Sequence, residues 1–202
     1  MKKIFKIISF LLLLFILIAL FSFFYIQSIK SNLKELETDA NIKWSEFFSY
    51  STIRVKSINM IINNQDQSLF KNNEIHLIVE RNLKNRNKYK NECGLDFVKL
   101  EFDLNEDLME LLNTTNKNSK EYKSLEKDSI IPNDKLNNLV NEYNKYVLYY
   151  NRYISIFPNF LIAKRNGYKL KKYFSIKYGE INDDPIIKSK ELPKWAIGVD
   201  TI

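Results

Sequence analysis

Twenty consecutive residues near the N-terminus, from 7 to 26, carry no charged side chain and read IISFLLLLFILIALFSFFYI. A helix of this length extends for about 30 Å, which is the thickness of the hydrocarbon core of a bilayer. A stretch so long and apolar on all sides is not typical of a helix in the core of a water-soluble protein. The sequence therefore predicts a transmembrane helix over residues 7–26.

Two interpretations of this stretch are open, an uncleaved signal-anchor and a cleaved secretory signal peptide. The lysines within the first six residues would suit either. A signal peptide has a shorter apolar stretch and ends in small residues at a cleavage site, whereas residues 23–28 read FFYIQS. We therefore favour an uncleaved signal-anchor.

Basic residues on the two sides of the stretch predict its orientation. The N-terminal side carries three lysines within six residues, whereas Lys30 and Lys34 on the other side are offset by acidic residues nearby. Because the more basic flank stays in the cytoplasm, residues 1–6 are expected to be cytoplasmic. The chain from residue 27 onward is expected outside the cytoplasm, in the periplasm if the cell has two membranes. The expected location is the cell membrane, crossed once.

Composition limits the chemistry of the rest of the chain. One His, one Cys and four Gly occur in the whole sequence, which excludes zinc fingers, an internal disulfide framework and a glycine-rich phosphate loop. Beyond residue 6, 28 basic residues face 24 acidic ones, a surplus too small to indicate a nucleic-acid partner. Contact of lysine-rich faces with anionic headgroups is a less favoured alternative to a solvated surface.

Apolar residues spaced three and four apart predict an all-α chain. This spacing continues after the anchor through Ile29, Leu33, Leu36, Ala40 and Trp44. Since no Gly or Pro occurs before Gly94, the anchor helix is expected to continue as an amphipathic helix, and Gly94 to end the helical run. Residues 95–104 are ambiguous between a short strand and the approach to a helix, and a capping box of Asp103 and Glu106 favours a helix starting near 104.

The clearest predicted helix lies between Pro132 and Pro158. Large apolar residues and tyrosines recur along it in an a/d heptad pattern typical of coiled coils: Leu136, Leu139, Tyr143, Tyr146, Tyr150, Tyr153 and Phe157. A short helix is expected after Pro158, ending at Gly167. Residues 168–176 are too short and too basic for a core helix. We expect a helical bundle over residues 27–182 and an extended, loosely attached tail over 183–202.

Candidate chemical groups have simpler interpretations. His76 and Glu80 lie four residues apart, but two ligands do not form a metal site, so a solvated pair is favoured. A stretch from Asp103 begins like a calcium-binding EF-hand loop but lacks the required Gly and the final Glu. Catalytic motifs are not found. The sequence therefore predicts a protein that is not an enzyme, without catalytic, metal-binding or cofactor-binding residues.

Asn137, Asn144 and Asn151 recur every seven residues beside the tyrosines. Our preferred interpretation is that these amides fix helix register in an apolar seam at some cost in stability, so that leucines at 144 and 151 would raise stability. A groove of Tyr and Asn side chains that holds a small ligand, simple surface exposure, and hydrogen bonds to buried backbone or hydroxyl groups are the alternatives.

The order and spacing of residues in the C-terminal half resembles the signature of the LemA family: Tyr143-Asn144, Val147, Tyr150-Asn151, Phe157-Pro158, Ile162-Ala163, Gly167 and Tyr173-Phe174. The match is strongest over residues 122–175, and Trp44 and Arg54 match the family's first-helix pattern. The stretch after Arg54 departs from it, since the expected acid and proline are absent. The resemblance implies a membrane-anchored antiparallel bundle of about four long helices and implies no reaction, because LemA-like proteins have no settled activity.

The expected function is contact with other proteins outside the cytoplasm, either with a different partner or within a homo-oligomer. An extracytoplasmic ligand-binding or sensor module, using a Tyr/Asn-lined groove between helices, is the alternative. Neither interpretation requires a cofactor.

Overall fold

The structure is a computed structural model that describes residues 2–64, 74–114, 117, 120–127 and 131–191. Within these residues there is no strand, and the predicted all-α class is confirmed. The helices are α1 (Lys2–Asn64), α2 (Ile75–Arg86), α3 (Leu95–Thr114), α4 (Lys120–Leu125), α5 (Ile131–Ser155), α6 (Asn159–Arg165) and α7 (Pro185–Glu191), with a 3-10 turn at Asn87–Tyr89.

Helix α1 is uninterrupted over 63 residues and joins the apolar stretch to the bundle. Its large apolar side chains are exposed as far as Ile26, and its first buried side chain is Ile29. In the described part of the chain, α1 is the helix that is long and apolar enough to cross a membrane. The predicted continuation of the apolar helix into an amphipathic one is therefore confirmed.

Helices α1 and α5 pack against each other in opposite directions. Near the apolar stretch, Asn32 Nδ2 donates a hydrogen bond of 3.0 Å to the Tyr153 hydroxyl. At the far end of the pair, Arg54 Nη2 donates to Asn133 Oδ1 at 3.3 Å. Because residue numbers rise along α1 while they fall along α5, the C-terminal end of α5 lies beside the start of the bundle.

The buried stripe of α5 differs from the predicted heptad seam. Leu139, Tyr146 and Tyr153 are only half-buried, and Phe157 is 76% exposed. The buried positions are Leu136, Val140, Tyr143, Val147, Tyr150 and Ile154. Of the predicted tyrosines, Tyr143 and Tyr150 are buried, whereas Tyr146 and Tyr153 are half-buried, since tyrosine combines an apolar ring with a polar hydroxyl and suits both environments.

Two predicted helix boundaries are wrong. Helix α3 begins at Leu95 rather than near 104, and its first hydrogen bonds go to the Gly94 carbonyl. Asp103 is therefore inside the helix, where its carboxylate pairs with Lys99 at 2.9 Å instead of capping a terminus. Helix α2 ends earlier than expected, at Arg86, so Gly94 precedes α3 rather than ending α2.

The region after α5 is partly as predicted. A short helix, α6, follows Pro158, and Gly167 adopts a φ of +77° just beyond it, a conformation that favours glycine. The expected extended tail is wrong over α7, which packs on α3. Lys99 Nζ lies 2.7 Å from a carboxylate oxygen of Asp184 and attaches this region to the bundle. Residues 192–202 of the predicted tail lie outside the described residues.

Residues 168–178 run as an extended segment along α5, held by three amide clamps. In each clamp an asparagine of α5 donates from Nδ2 to a backbone carbonyl and accepts at Oδ1 from the N–H of the same residue. The pairs are Asn151 with Lys171, Asn144 with Phe174 and Asn137 with Tyr178, at 2.7–3.1 Å.

Heptad spacing explains why the clamps fit. Seven helical residues advance about 10.5 Å, close to the distance covered by three or four extended residues. The amides therefore satisfy backbone groups of the extended segment, which corrects the prediction that they set register in an apolar seam. As a result the segment places Phe174, Ile176 and Tyr178 in the core.

Replacing the clamp residues should destabilise the protein. In Asn144→Leu and Asn151→Leu, a backbone N–H and C=O lose their partners, and each change should lower the free energy of unfolding by about 1 to 3 kcal/mol. Denaturant unfolding of the full chain in detergent measures this. Asn138→Leu, at an exposed position of the same helix, should change stability by no more than about 0.5 kcal/mol. A gain in stability at 144 or 151 would restore the register interpretation.

Candidate functional site: a buried ionic cluster and an adjacent cleft

A carboxylate with no solvent exposure, that of Glu101 on α3, lies at the centre of a buried polar cluster. It accepts four hydrogen bonds from three other parts of the chain. The donors are the Tyr178 hydroxyl at 2.6 Å, Arg86 Nη1 at 2.7 Å, Ser51 Oγ at 2.8 Å and Asn82 Nδ2 at 3.4 Å. Bonds from α1, α2 and the extended segment thus meet on one side chain.

The guanidinium of Arg86 is buried together with Glu101. It also donates to Ser51 Oγ at 2.7 Å and to Thr52 Oγ1 at 3.0 Å. Its planar face lies over the Phe97 ring, 5.2 Å from the centroid, where a cation is attracted by the π electrons. The buried charge is therefore compensated on several sides.

Protonation in this cluster follows from its contacts. Burial alone would raise the pKa of Glu101, but Arg86, the Tyr178 hydroxyl and Arg54 together hold that pKa below its usual value. Burial and the neighbouring carboxylate raise the pKa of Tyr178 well above its ordinary value. At neutral pH the cluster therefore holds an ionised Glu101 and a neutral Tyr178, so neither group is poised to exchange a proton.

Sequence reasoning missed this cluster, although a signal was present. Glu101 occupies the buried stripe of α3, three or four residues from Phe97 and Leu104. Asn82 and Arg86 continue the buried stripe of α2 in the same spacing. A polar or charged side chain at a position that periodicity assigns to the core predicts a buried, paired group.

A cleft of about 780 Å³ lies between α1, the turn after α2 and the extended segment. It is lined by aromatic, amide and charged side chains. Its lysines are Lys164, Lys169, Lys171 and Lys172, its acids are Glu37 and Glu92, and its aromatic residues are Trp44, Tyr143, Phe160 and Tyr168. The cleft therefore combines apolar walls with a surplus of positive charge.

Lys171 is the most buried of the four lysines that line this cleft. Its ammonium donates to Asn41 Oδ1 at 2.7 Å and lies 5.6 Å from the centroid of the Tyr150 ring. Burial lowers the pKa of Lys171, although Glu37 acts in the opposite direction. Beside it, the buried Tyr150 hydroxyl has no hydrogen-bond partner among the described residues. Tyr150 is fully buried and is not among the residues that line the cleft.

The LemA-like residues are placed mainly in the core rather than at one site. Trp44 Nε1 donates to the Tyr89 carbonyl at 2.9 Å, and the Tyr143 hydroxyl donates to the Lys172 carbonyl at 2.8 Å. Phe157 and Tyr173 are exposed, and Asn144 and Asn151 are clamp residues. The other members are buried: Trp44, Arg54, Tyr143, Val147, Tyr150 and Phe174. Pro158 and Gly167 bracket α6.

The remaining candidate groups are the pair of His76 and Glu80, the Cys93 thiol and possible metal ligands. His76 and Glu80 form an exposed pair at 3.9 Å, as predicted for a solvated pair. Burial raises the pKa of the Cys93 thiol to about 12, so this side chain is protonated. No set of three or more His, Cys, Asp or Glu side chains in the described part of the chain is arranged to hold a metal ion.

No family model, curated protein or solved structure matches the chain.

Removing the charge of Glu101 should strongly destabilise the protein. Glu101→Gln leaves Arg86 buried without its counter-charge, and we expect a loss of about 3 to 5 kcal/mol in the free energy of unfolding. Because the folded pKa of Glu101 is lowered, its stabilisation is present above the ordinary value of about 4 and is lost as pH falls below it. The difference from the wild type should therefore shrink in acid.

Denaturant melts at neutral and acidic pH measure both effects. Glu46→Gln is the matched control, since the Glu46 carboxylate pairs with Lys43 at 3.0 Å on the surface, where an ion pair contributes little. Equal, small effects of the two substitutions at neutral pH would contradict the assigned role of Glu101.

Proposed function

We propose that this chain is a single-pass membrane protein that holds its helical bundle outside the cytoplasm and acts by contact with another protein rather than by catalysis. The apolar part of α1, which is long enough to span a bilayer, supports the anchor. The basic N-terminal flank supports the orientation. The saturated bonds of Glu101 and Arg86 support a structural rather than a catalytic role for the buried charges.

A row of exposed apolar side chains on α1 is the observation that carries the proposed protein contact. Ile42, Ile53 and Met60 are 50%, 60% and 62% exposed. Their separations of 11 and 7 residues place them within about 20° of one line along the helix. We call this row the outer stripe. It extends for about 27 Å and is interrupted on the same helix face by the exposed Glu46, Ser49 and Lys56. A partner helix that packs along it would therefore contact both apolar and polar side chains.

The LemA resemblance is part of this proposal. Its support is that motif residues far apart in sequence contact each other, as Asn144 clamps Phe174 and Tyr143 binds the neighbouring carbonyl. These contacts give the motif a role in holding the bundle together. A reaction is not required to explain them.

Cysteine labelling tests the location and the contact surface together. Ile53→Cys and Leu77→Cys are placed separately in the full chain, since Leu77 is an equally exposed apolar residue on α2. Cells with a permeabilised outer envelope and an intact cytoplasmic membrane are treated with an impermeant maleimide. We expect Leu77→Cys to be labelled at once and Ile53→Cys several-fold more slowly, because a partner covers the outer stripe. The wild type, with buried Cys93, measures the background.

This experiment tests the proposed orientation and the proposed contact surface separately. Labelling of Leu77→Cys only after cell lysis would overturn the orientation. Equal labelling rates at 53 and 77 would overturn the outer stripe as a contact surface. Detergent that separates the partner should make the two rates equal when the proposal holds.

A second candidate function, binding of a small polar ligand, is supported by the cleft that Lys171 lines. The Lys171 ammonium would suit a ligand that carries an anionic or hydrogen-bond-accepting group. A ligand that displaces this lysine would reach the buried, unpartnered Tyr150 hydroxyl next to it. The predicted Tyr/Asn-lined groove is not the place for it, because the amides of α5 already bind the extended segment.

Tyr150→Phe distinguishes this candidate. In purified protein the substitution removes a hydroxyl without a partner, so the melting temperature should stay equal or rise. Tyr143→Phe, the matched control, loses a bond to the Lys172 carbonyl and should cost about 1 kcal/mol. If a ligand binds the hydroxyl, Tyr150→Phe should lower the melting temperature in native membranes. Equal effects in membranes and in purified protein would reject the ligand.

A further inference from the structure

Exposed apolar side chains also gather where α5 turns into α6. Ile156, Phe157 and Leu161 are 55%, 76% and 50% exposed, and the Phe160 ring lies 6.3 Å from that of Phe157. We call these four residues the apolar corner. They are adjacent in sequence and contiguous with each other, unlike scattered single apolar residues on a protein surface.

The position of the apolar corner along α1 is fixed by contacts. Ile29 and Leu33 pack in one cluster with Ile154 and Ala163, on either side of the corner. Ile29 follows the last residue of the apolar stretch, Ile26, by three residues, which is about 4.5 Å of helix. Because α1 is continuous there, no linker separates the bundle from the apolar stretch.

The level of the corner follows from the same geometry. Asn32 follows Ile26 by six residues, which is about 9 Å along the helix axis. Its hydrogen bond to the Tyr153 hydroxyl puts that hydroxyl at the same level. Since α5 runs toward the apolar stretch and ends at Ser155, the turn that holds Phe157 follows the end of α5 that is nearest this stretch. The polar layer of a bilayer is about 5 to 7 Å thick on each side of the hydrocarbon. A bilayer around residues 7–26 therefore has its headgroups at the level of the corner.

Charge around the corner is one-sided. The 37 residues between Glu142 and Glu180 include eight basic and no acidic side chains. Arg152, Lys164 and Arg165 flank the corner and are exposed. Basic side chains beside apolar ones at an interface are attracted to anionic lipid headgroups by about 1 kcal/mol each.

We propose that the apolar corner is a second membrane contact, which inserts Ile156, Phe157, Phe160 and Leu161 into the headgroup layer of the bilayer that α1 crosses. The inference rests on the proposed anchor. Arg152, Lys164 and Arg165 bind anionic headgroups around the inserted side chains. The bundle is thereby held against the membrane by two separate elements, the anchor and the corner, rather than by α1 alone.

Depth-dependent fluorescence quenching tests the proposal. Full-length protein with one added cysteine, at Leu161 or Phe157, is labelled with an environment-sensitive fluorophore and reconstituted into phosphatidylcholine vesicles that contain nitroxide-labelled lipid. We expect quenching several-fold stronger at these positions than at Tyr149→Cys, a 45% exposed position on α5 farther from the bilayer. Leu17→Cys, in the middle of the apolar stretch, reports on the anchor itself.

The outcomes separate the two proposals. If position 17 is strongly quenched but positions 157 and 161 are quenched no more than position 149, the apolar corner is not a membrane contact. The proposed anchor would then stand. Weak quenching at 17 would overturn the anchor. Lys164→Glu with Arg165→Glu should reduce quenching at 161 in vesicles that contain phosphatidylglycerol and leave neutral vesicles nearly unaffected. Helix content and melting temperature are compared for every variant to show that it is folded. Similar quenching at positions 157 and 161 shows that the result does not depend on where the fluorophore is attached.

Discussion

The carboxylate of Glu101 is the point on which the packing of this bundle depends. An ion without solvent exposure is tolerated only when nearly all its hydrogen-bonding capacity is used, and here the donors come from α1, α2 and the extended segment. These elements must therefore be in place together for the charge to be compensated. The cluster favours one arrangement of the helices, because a shifted helix would leave an ion without its partner.

The extended segment is held in place by a different set of interactions. An extended segment in an all-α protein has no neighbouring strand to satisfy its backbone groups. The amide clamps of α5 supply the missing donors and acceptors, since each asparagine presents the same pair of groups as a peptide bond. Phe174 and Tyr178 can then enter the core from a segment without helical structure. The Tyr178 hydroxyl also donates to Glu101, so the clamped segment and the buried ionic cluster are directly connected.

Much of the fold follows from local sequence, and the exceptions have physical causes. The apolar stretch of α1, its continuation as an amphipathic helix and the short helix α6 were predictable, because they follow from hydrophobic periodicity, Pro158 and Gly167. The start of α3 was not, because burial of Phe97 and Glu101 outweighs a local capping signal at Asp103. Heptad spacing singled out the clamp asparagines, but their partners come from a segment with no periodic pattern. Tyrosine obscured the buried stripe of α5, since it fits both the core and the surface.

Continuity of α1 also has a mechanical consequence. A helix without a Gly, Pro or loop between its apolar stretch and its packed half behaves as one stiff rod, so the two halves share a single axis. A membrane-spanning helix changes its tilt when the hydrocarbon thickness changes. Under the proposed anchor, any such tilt would be passed to the bundle as an equal tilt, and the orientation of its outer surfaces would follow the lipid composition around α1.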